Sequence, residues 1–330
     1  MISIVPQKIA IIRRNRLGDM ICTLPLIHSL REHFPQAEIV IVSDAAGCEV
    51  ARWSPEVSEV HLFKSSFLKF LNPRLNKNSL DGCDLVIAAK GGFDRGLAKV
   101  VRASGALLRI GFEASSSPSA YYSHPIPLPE YEHQITTLFR LLLPLGIQEP
   151  KEYRFDLVVP SVDETLLEWG EGIGKKRLLL TLTCNRGHYW PMQSYLQLID
   201  RLHAMGGIQV GVMKRPEDRF SEELEQALKL KGVRIFNPLN LAIVANLLKS
   251  ADGYISPEGG LVHLAASTGT STIVLWKSDG VILKWGSKAK THLDLQPACG
   301  IDKYSVDEMI DLIRRQFQWF IEEEPQTRLK

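Results

Sequence analysis

The sequence predicts an α/β protein with two doubly wound domains, each a parallel sheet covered by helices. Short apolar segments, such as residues 8–12 and 84–89, have the length of buried strands and alternate with segments whose apolar residues recur at helical spacing. A second series of such units begins at residue 177, after an extended stretch that contains prolines. The chain of 330 residues also exceeds the size at which a single core usually stops growing. We therefore expect domains at residues 1–160 and 161–330.

The same pattern places the individual elements. In the first half we expect strands at residues 8–12, 38–43, 59–63, 84–89 and 107–112, and helices at residues 21–34, 47–53 and 131–145, with a further helix ending at residue 101. In the second half we expect strands at residues 177–183, 209–213, 233–236, 251–255 and 272–276, and helices at residues 163–171, 193–205, 220–230, 241–249, 261–267 and 305–323. Pro25 removes a hydrogen bond from a helix interior, so the first helix either begins near Thr23 or has an irregular first turn.

The composition argues against several classes of protein. The 39 lysines and arginines nearly balance the 37 acidic residues, without the basic excess typical of proteins that hold nucleic acid by its phosphates, so we expect no nucleic-acid partner. The five cysteines are scattered, which favours reduced thiols over a zinc site. Residues 1–12 do not resemble a signal peptide, and no segment approaches the roughly 20 apolar residues of a transmembrane helix. These features predict a cytoplasmic protein.

Four polar loops that follow predicted strands are the candidate ligand-binding segments. They comprise residues 13–19, 90–95, 184–190 and 256–263. In open α/β sheets the ligand binds beyond the carboxyl ends of strands, where the next helix offers unpaired N–H groups and the positive end of its dipole. Two such domains facing each other would hold a ligand in the cleft between them.

Several residues of the first three loops have two interpretations. Asp19 is the only acid in the first 31 residues, and it can be a helix N-cap or a catalytic carboxylate. Lys90 and Arg95 can be ligands for an anion or simple surface charges. His188 can bind a ligand or lie solvated in its loop.

The fourth loop also has two interpretations. Gly259 and Gly260 let the backbone approach a ligand closely, while Glu258 and His263 place a carboxylate and an imidazole at the two ends of the turn. Alternatively, Glu258 helps to cap the following helix and His263 is packed within it. The residues of this stretch favour neither interpretation over the other.

Motifs in both halves resemble those of one enzyme family. Residues 13–25 (RRNRLGDMICTLP) look like the N-terminal signature of the bacterial ADP-heptose:lipopolysaccharide heptosyltransferases, glycosyltransferase family 9. Four further segments of the sequence resemble other motifs of that family. They are residues 84–87 with Lys90-Gly91, residues 109–112, Trp190-Pro191 and residues 256–266. The similarity extends over residues 8–290.

The resemblance implies a GT-B fold, in which two Rossmann-like domains face a cleft, the first binding the acceptor and the second the nucleotide sugar. Asp19 matches the family's proposed catalytic base, which in an inverting transfer takes the proton of the acceptor hydroxyl as it attacks the anomeric carbon. Neither a covalent nucleophile nor a metal is then required. The other site residues that the resemblance implies are Arg16, Lys90 and Arg95 for the acceptor, and His188, Glu258, Gly259, Gly260 and His263 for the donor.

The departures from the family pattern fall on the donor side. The second-half turn usually contains Asp-Thr-Gly or Asp-Ser-Gly, whereas residues 258–260 are Glu-Gly-Gly, which lengthens the acid and removes a hydroxyl. His188 stands where the family often has a lysine for the diphosphate, and Ala242 where characterised relatives carry an acid. These changes leave open another donor, weak donor binding, or no turnover.

The resemblance predicts an inverting glycosyltransferase that moves a heptose or related sugar from a nucleotide-diphosphate donor, ADP-heptose, to a lipopolysaccharide core or other glycan acceptor. Its partners are then this nucleotide sugar as co-substrate, with no further cofactor, and a lipid-linked or oligosaccharide acceptor at the inner face of the inner membrane. One alternative is a transferase that uses a UDP- or GDP-sugar. Another is a non-catalytic relative that binds a carbohydrate or a partner transferase. A dinucleotide-dependent oxidoreductase is disfavoured because neither half presents Gly-x-Gly-x-x-Gly after its first strand.

Overall fold

The computed structural model describes residues 5–14, 16–64, 76–113, 121–170, 175–183, 190–277 and 279–319. The chain forms two compact units. Unit 1 comprises Met1–Pro160 together with Leu283–Gly286, and unit 2 comprises Ser161–Ile282 together with Ser287–Lys330. Each unit is organised around one six-stranded parallel sheet.

Strands and helices alternate through both units. The elements from the N-terminus to residue 140 are β1 (Lys8–Arg13), α1 (Leu17–Ile21), α2 (Leu24–His33), β2 (Glu38–Ser43), α3 (Ala45–Trp53), β3 (Glu59–Leu62), β4 (Leu85–Ala88), α4 (Arg95–Ala103), β5 (Leu108–Glu113), β6 (His124–Pro127) and α5 (Gln134–Arg140). The later elements are β7 (Lys176–Leu180), α6 (Met192–Met205), β8 (Ile208–Met213), α7 (Glu222–Leu230), β9 (Arg234–Phe236), α8 (Leu241–Ser250), β10 (Gly253–Pro257), α9 (Gly260–Thr268), β11 (Thr272–Leu275), α10 (Asp279–Trp285), β12 (His292–Leu295) and α11 (Val306–Phe317).

The two sheets have the same strand order. In unit 1 the order is β3-β2-β1-β4-β5-β6, and in unit 2 it is β9-β8-β7-β10-β11-β12. All neighbouring strands pair in parallel. In each sheet the order therefore reverses beside the first strand, between β1 and β4 in unit 1 and between β7 and β10 in unit 2. Such reversals are the points at which open α/β sheets bind ligands.

The central strands form the cores of the units. Residues 9–12 of β1 have no exposed surface, and residues 39–42 of β2 and 85–87 of β4 are equally buried. Strands covered by helices on both faces must be apolar throughout, and this is why they occur as unbroken runs of Ile, Val, Leu and Ala in the sequence.

The structure corrects several predicted elements. The helix expected at residues 131–145 is shorter, because α5 ends at Arg140 and a 3₁₀ turn at Leu143–Leu145 follows it. The helix expected at residues 163–171 is a 3₁₀ turn at Glu164–Leu167. Pro25 lies in the first turn of α2, where a missing N–H costs no helical hydrogen bond.

The edge strands β6 and β12 and the helix α10 were not predicted from the sequence. Strand β6 has the sequence His-Pro-Ile-Pro, and its two prolines argue against a strand. Proline is tolerated at a sheet edge, since one side of an edge strand makes no ladder hydrogen bonds. Because β6 pairs only with β5 in the described sheet, its prolines are compatible with this position.

Candidate active site

The carboxyl ends of β1 and β4 form the switch point of unit 1. The loop after β1 comprises residues 14–16, of which Asn15 lies outside the described residues, and the loop after β4 comprises residues 89–94. Arg13, the last residue of β1, donates from Nη1 to the carbonyl oxygen of Ala89 over 2.5 Å. This bond joins the two loops, so the first two predicted ligand-binding segments lie side by side.

Asp19 lies within α1 and is held by Arg13. The Arg13 Nη2 donates to Asp19 Oδ1 over 2.7 Å, and Nε donates to the Asp19 carbonyl oxygen over 3.0 Å. The N-cap of α1 is Arg16, so the interpretation of Asp19 as the helix N-cap is wrong. Tertiary contact with a strand end, rather than helix capping, determines where the carboxylate lies.

The pair of Arg13 and Asp19 combines a buried cation with an accessible anion. Arg13 is 1% exposed, whereas the side chain of Asp19 is 16% exposed. Burial lowers the pKa of Arg13, and the carboxylate of Asp19 acts in the opposite direction. Because a guanidinium stays protonated in proteins, the buried charge needs this partner. Asp19 Oδ1 provides it, and Oδ2 makes no hydrogen bond within the described residues.

Basic side chains surround a second carboxylate in the neighbouring loop. Lys90 Nζ donates to Asp94 Oδ2 over 2.6 Å, and Arg14 Nη1 lies 3.9 Å from the same oxygen. Asp94 Oδ1 caps α4 by accepting from the Leu97 N–H. Burial raises the pKa of Asp94, but the hydrogen bonds from Lys90 and Leu97 outweigh it and hold the pKa below its ordinary value.

The structure places the remaining predicted acceptor residues at the same edge of the sheet. Arg16 precedes α1 and Arg95 is the first residue of α4, and both are exposed. Lys90 is partly exposed and already pairs with Asp94. The edge therefore carries more positive than negative charge, which suits an anionic ligand.

In unit 2 the switch point includes the glycine turn between β10 and α9. The Glu258 N–H donates to the Leu275 carbonyl oxygen over 3.1 Å, which anchors the turn on β11. Gly259, in an extended conformation, is the N-cap residue of α9 and has no side chain to bond the first-turn N–H groups. A Cβ atom at Gly259 would meet no other heavy atom of the described residues within 4 Å, so the turn lies beside open space.

The other predicted donor residues lie around this turn or outside the described residues. His263 is on the second turn of α9 and is partly exposed. His188 belongs to residues 184–189, which follow β7 in the sequence and lie outside the described residues. Of the predicted donor residues, the structure thus brings together Glu258, Gly259, Gly260 and His263.

A pocket that was not predicted from the sequence lies beyond β8 and β9. It has a volume of about 290 Å³, and its lining includes Lys214, Arg215, Asp218, Phe220, Asn237 and Leu239. Leu239 is 87% exposed, so its apolar side chain is accessible beside the charged groups of the pocket. The sequence signal for this pocket was the charged run at residues 214–218 directly after a buried strand.

A partly buried ion pair forms one wall of this pocket. Arg215 donates from Nη2 to Asp218 Oδ1 over 2.6 Å and from Nε to Oδ2 over 3.1 Å. The hydroxyl of Thr183, which follows β7, also donates to Oδ1. Burial raises the pKa of Asp218, but the hydrogen bonds from Arg215 and Thr183 outweigh it and lower the pKa. Several hydrogen bonds thus fix this charged pair in the wall of the pocket.

The described residues contain neither a metal-binding cluster nor a membrane-spanning helix. No group of three or more His, Cys, Asp or Glu side chains there could hold a metal ion. No helix in the described part of the chain is long and apolar enough to cross a membrane.

Comparison with protein families identifies the chain. The model of glycosyltransferase family 9 (heptosyltransferase) matches residues 74–293, more than half of the sequence. The chain belongs to this family. The match includes the glycine turn and the pocket of unit 2, and it begins after Asp19.

Individual family 9 relatives are distant in sequence and close in fold. The lipopolysaccharide core heptosyltransferase OpsX of Haemophilus influenzae is 20% identical over 282 residues, which are 82% of this chain and 79% of OpsX. The crystal structure of a family 9 glycosyltransferase from Veillonella parvula has a TM-score of 0.79 at 15% identity, covering 94% of this chain and 97% of that one. Escherichia coli heptosyltransferase WaaC with ADP-2-deoxy-2-fluoro heptose has a TM-score of 0.70 at 18% identity, covering 93% and 99%. The predicted GT-B fold, with two Rossmann-like parallel sheets, is confirmed.

Proposed function

We propose that this family 9 glycosyltransferase moves a heptose from ADP-heptose to a lipopolysaccharide core acceptor, with inversion at the anomeric carbon. The observation that carries the proposal is the carboxylate of Asp19, which Arg13 holds at the carboxyl end of β1 with Oδ2 left available. A general base must be oriented and within reach of a hydroxyl, and the hydrogen bond from Arg13 provides the orientation.

The reaction follows from these groups. Asp19 Oδ2 takes the proton of the acceptor hydroxyl while the hydroxyl oxygen forms a bond to the anomeric carbon of the donor. The bond from that carbon to the diphosphate oxygen breaks, and the ADP leaves with the electron pair. Attack from the face opposite the diphosphate inverts the anomeric centre.

The donor belongs, in this proposal, to unit 2. The first-turn N–H groups of α9 and the positive end of its dipole stabilise the charge that develops on the departing diphosphate. The pocket beyond β8 and β9 receives the nucleoside, with Leu239 against the base and polar groups of residues 214–218 near the ribose. ADP-heptose is the donor that best fits the family, since WaaC was crystallised with a fluorinated analogue of it.

The acceptor belongs to unit 1. Arg16, Lys90 and Arg95 bind its acidic groups at the edge that also carries Asp19, so that its hydroxyl lies near the base. OpsX is named for action on the lipopolysaccharide core, which is the basis for the choice of acceptor. Because such an acceptor is lipid-linked, the enzyme works at the inner face of the inner membrane.

The test combines nucleotide binding with turnover. ADP should stabilise the purified protein against heat more than UDP or GDP at the same concentration, since a ligand at 100 times its Kd adds about 2.7 kcal/mol to the free energy of unfolding. ADP-heptose and a truncated lipopolysaccharide that lacks heptose should then yield ADP and a heptosylated product. A larger shift with UDP or GDP would indicate the other donor class. Binding of the truncated lipopolysaccharide without stabilisation by any of the three nucleotides would indicate a non-catalytic relative.

A further inference from the structure

A buried amide lies at the beginning of α5. Gln134 is the first residue of this helix and is only 3% exposed, although glutamine is mostly found at protein surfaces. Its Nε2 atom is fully buried and makes no hydrogen bond within the described residues. Buried polar groups are nearly always hydrogen-bonded, so an amide left without a partner points to a ligand that supplies one.

The amide lies against the glycine turn that follows β4. A Cβ atom placed on Gly91 would lie 2.4 Å from both Nε2 and Oε1 of Gln134, so only glycine leaves room for the amide. The backbone N–H groups of Gly91 and Gly92 likewise make no hydrogen bond to any residue that the structure describes. Because neither residue has a side chain, the turn offers backbone donors, and the amide of Gln134 packs directly against it.

The neighbouring residue fixes the position of Gln134. His133 is buried, and its Nδ1 accepts from the Ile135 N–H over 3.2 Å. Its Nε2 donates to the carbonyl oxygen of Gly286, which also belongs to unit 1, over 2.9 Å. These two bonds, one at each ring nitrogen of His133, restrain the start of α5. Gln134 is therefore presented to the turn by a restrained backbone.

We infer that Gln134 is a specificity-determining residue for the acceptor, and that its amide donates a hydrogen bond to an oxygen of an acidic sugar bound at the turn of Lys90 and Gly91. Rotation of the amide by 180° exchanges its donor and acceptor, so the group can turn its N–H toward an incoming oxygen. The positive charges of Arg14 and Lys90 near the turn favour an oxygen of an anionic group. The inference rests on the proposed function, which places the acceptor at this edge of unit 1.

The decisive variant is Gln134→Met. Methionine is unbranched and of similar length, and replacement of an unpartnered buried amide by an apolar group leaves the fold as stable or makes it more stable. If Gln134 contacts the acceptor, the KM for heptose-deficient truncated lipopolysaccharide rises about tenfold, while the KM for ADP-heptose and kcat stay within twofold. A purely structural role leaves the acceptor KM unchanged, and a rise of less than threefold overturns the inference.

Two further variants separate this contact from general loosening of the helix. Leu138→Met changes the packing of the same buried face one turn later, and it should leave the acceptor KM within twofold. Gly91→Ala should raise the acceptor KM by displacing the amide, yet it should have no further effect in a Gln134→Ala background, where the space is empty. Equal effects of Gly91→Ala in the two backgrounds would contradict a contact through Gln134.

The outcomes distinguish this inference from the proposed function. If the wild-type enzyme transfers heptose to truncated lipopolysaccharide and Gln134→Met does so with the same acceptor KM, only the role of Gln134 is wrong. If the wild-type enzyme neither binds nor modifies this acceptor, the proposed function is wrong and the inference falls with it.

Discussion

Replacement of Asp19 by asparagine removes the proposed base while it preserves most of the local structure. Asparagine keeps an oxygen that can accept from Arg13, and Arg13 retains the carbonyl oxygens of residues 19 and 89. General base catalysis contributes about 10²- to 10⁴-fold to the rate, which is about 2.7–5.4 kcal/mol of activation free energy. We expect kcat to fall by that factor. Because asparagine also removes the negative charge beside buried Arg13, the free energy of unfolding should fall by about 1.5–3 kcal/mol, and Asp19→Ala, which removes the hydrogen-bond acceptor as well, should lower it further.

The assay measures ADP release from ADP-heptose with truncated lipopolysaccharide, and the thermal shift with ADP measures donor binding separately. Asp44→Asn is the matched control. Asp44 follows β2 at the same sheet edge and caps α3 through the Gly47 N–H, and asparagine is an equally good N-cap. This control should retain kcat within twofold. If Asp19→Asn also retains activity within a few-fold, while ADP binds normally, Asp19 serves only as the partner of Arg13 and another residue is the base.

Three further predictions concern stability. Asp218→Asn should lower the free energy of unfolding by about 1.5–3 kcal/mol at pH 7 through its contact with Arg215. Because the pKa of Asp218 is lowered in the folded state, this stabilisation is present above the unfolded-state pKa and is lost as the pH falls. In urea unfolding, the difference in stability between wild type and Asp218→Asn should therefore shrink below about pH 4. Burial, with a smaller contribution from His263, lowers the pKa of His292 to about 3, so the unfolded chain binds a proton at pH 5 that the folded chain does not. Wild type should thereby lose about 2 kcal/mol between pH 7.5 and pH 5, and His292→Leu should show a correspondingly flatter profile in the same experiment. Gly211→Ala should cost about 1–3 kcal/mol in chemical denaturation, since its Cβ would lie 2.6 Å from the ring of Phe236; an unchanged midpoint would show that the ring moves aside freely.

The local pattern of apolar residues was sufficient to predict most strands and helices of the fold. The central strands are apolar throughout because helices cover both faces of each sheet, and this leaves an unambiguous run such as residues 9–12. The glycine turn at residues 258–260 could likewise be located from the two apolar segments around it. The edge strand β6 could not be located in this way. Its prolines are acceptable only because the strand lies at the edge of the sheet, and the sequence pattern does not show that position.

The same distinction applies to the candidate site. The sequence alone predicted which polar segments follow strands. It thereby placed Asp19 after the first strand, Lys90 after β4 and the glycine turn after β10. Only the tertiary structure showed that Asp19 pairs with Arg13 instead of capping its helix, and that Gln134 reaches the backbone of Gly91. The spacing of apolar residues depends on neighbours along the chain. Whether a side chain has a hydrogen-bond partner depends on which atoms folding brings close to it. The strands could therefore be predicted from the sequence, and the partners of the site residues could not.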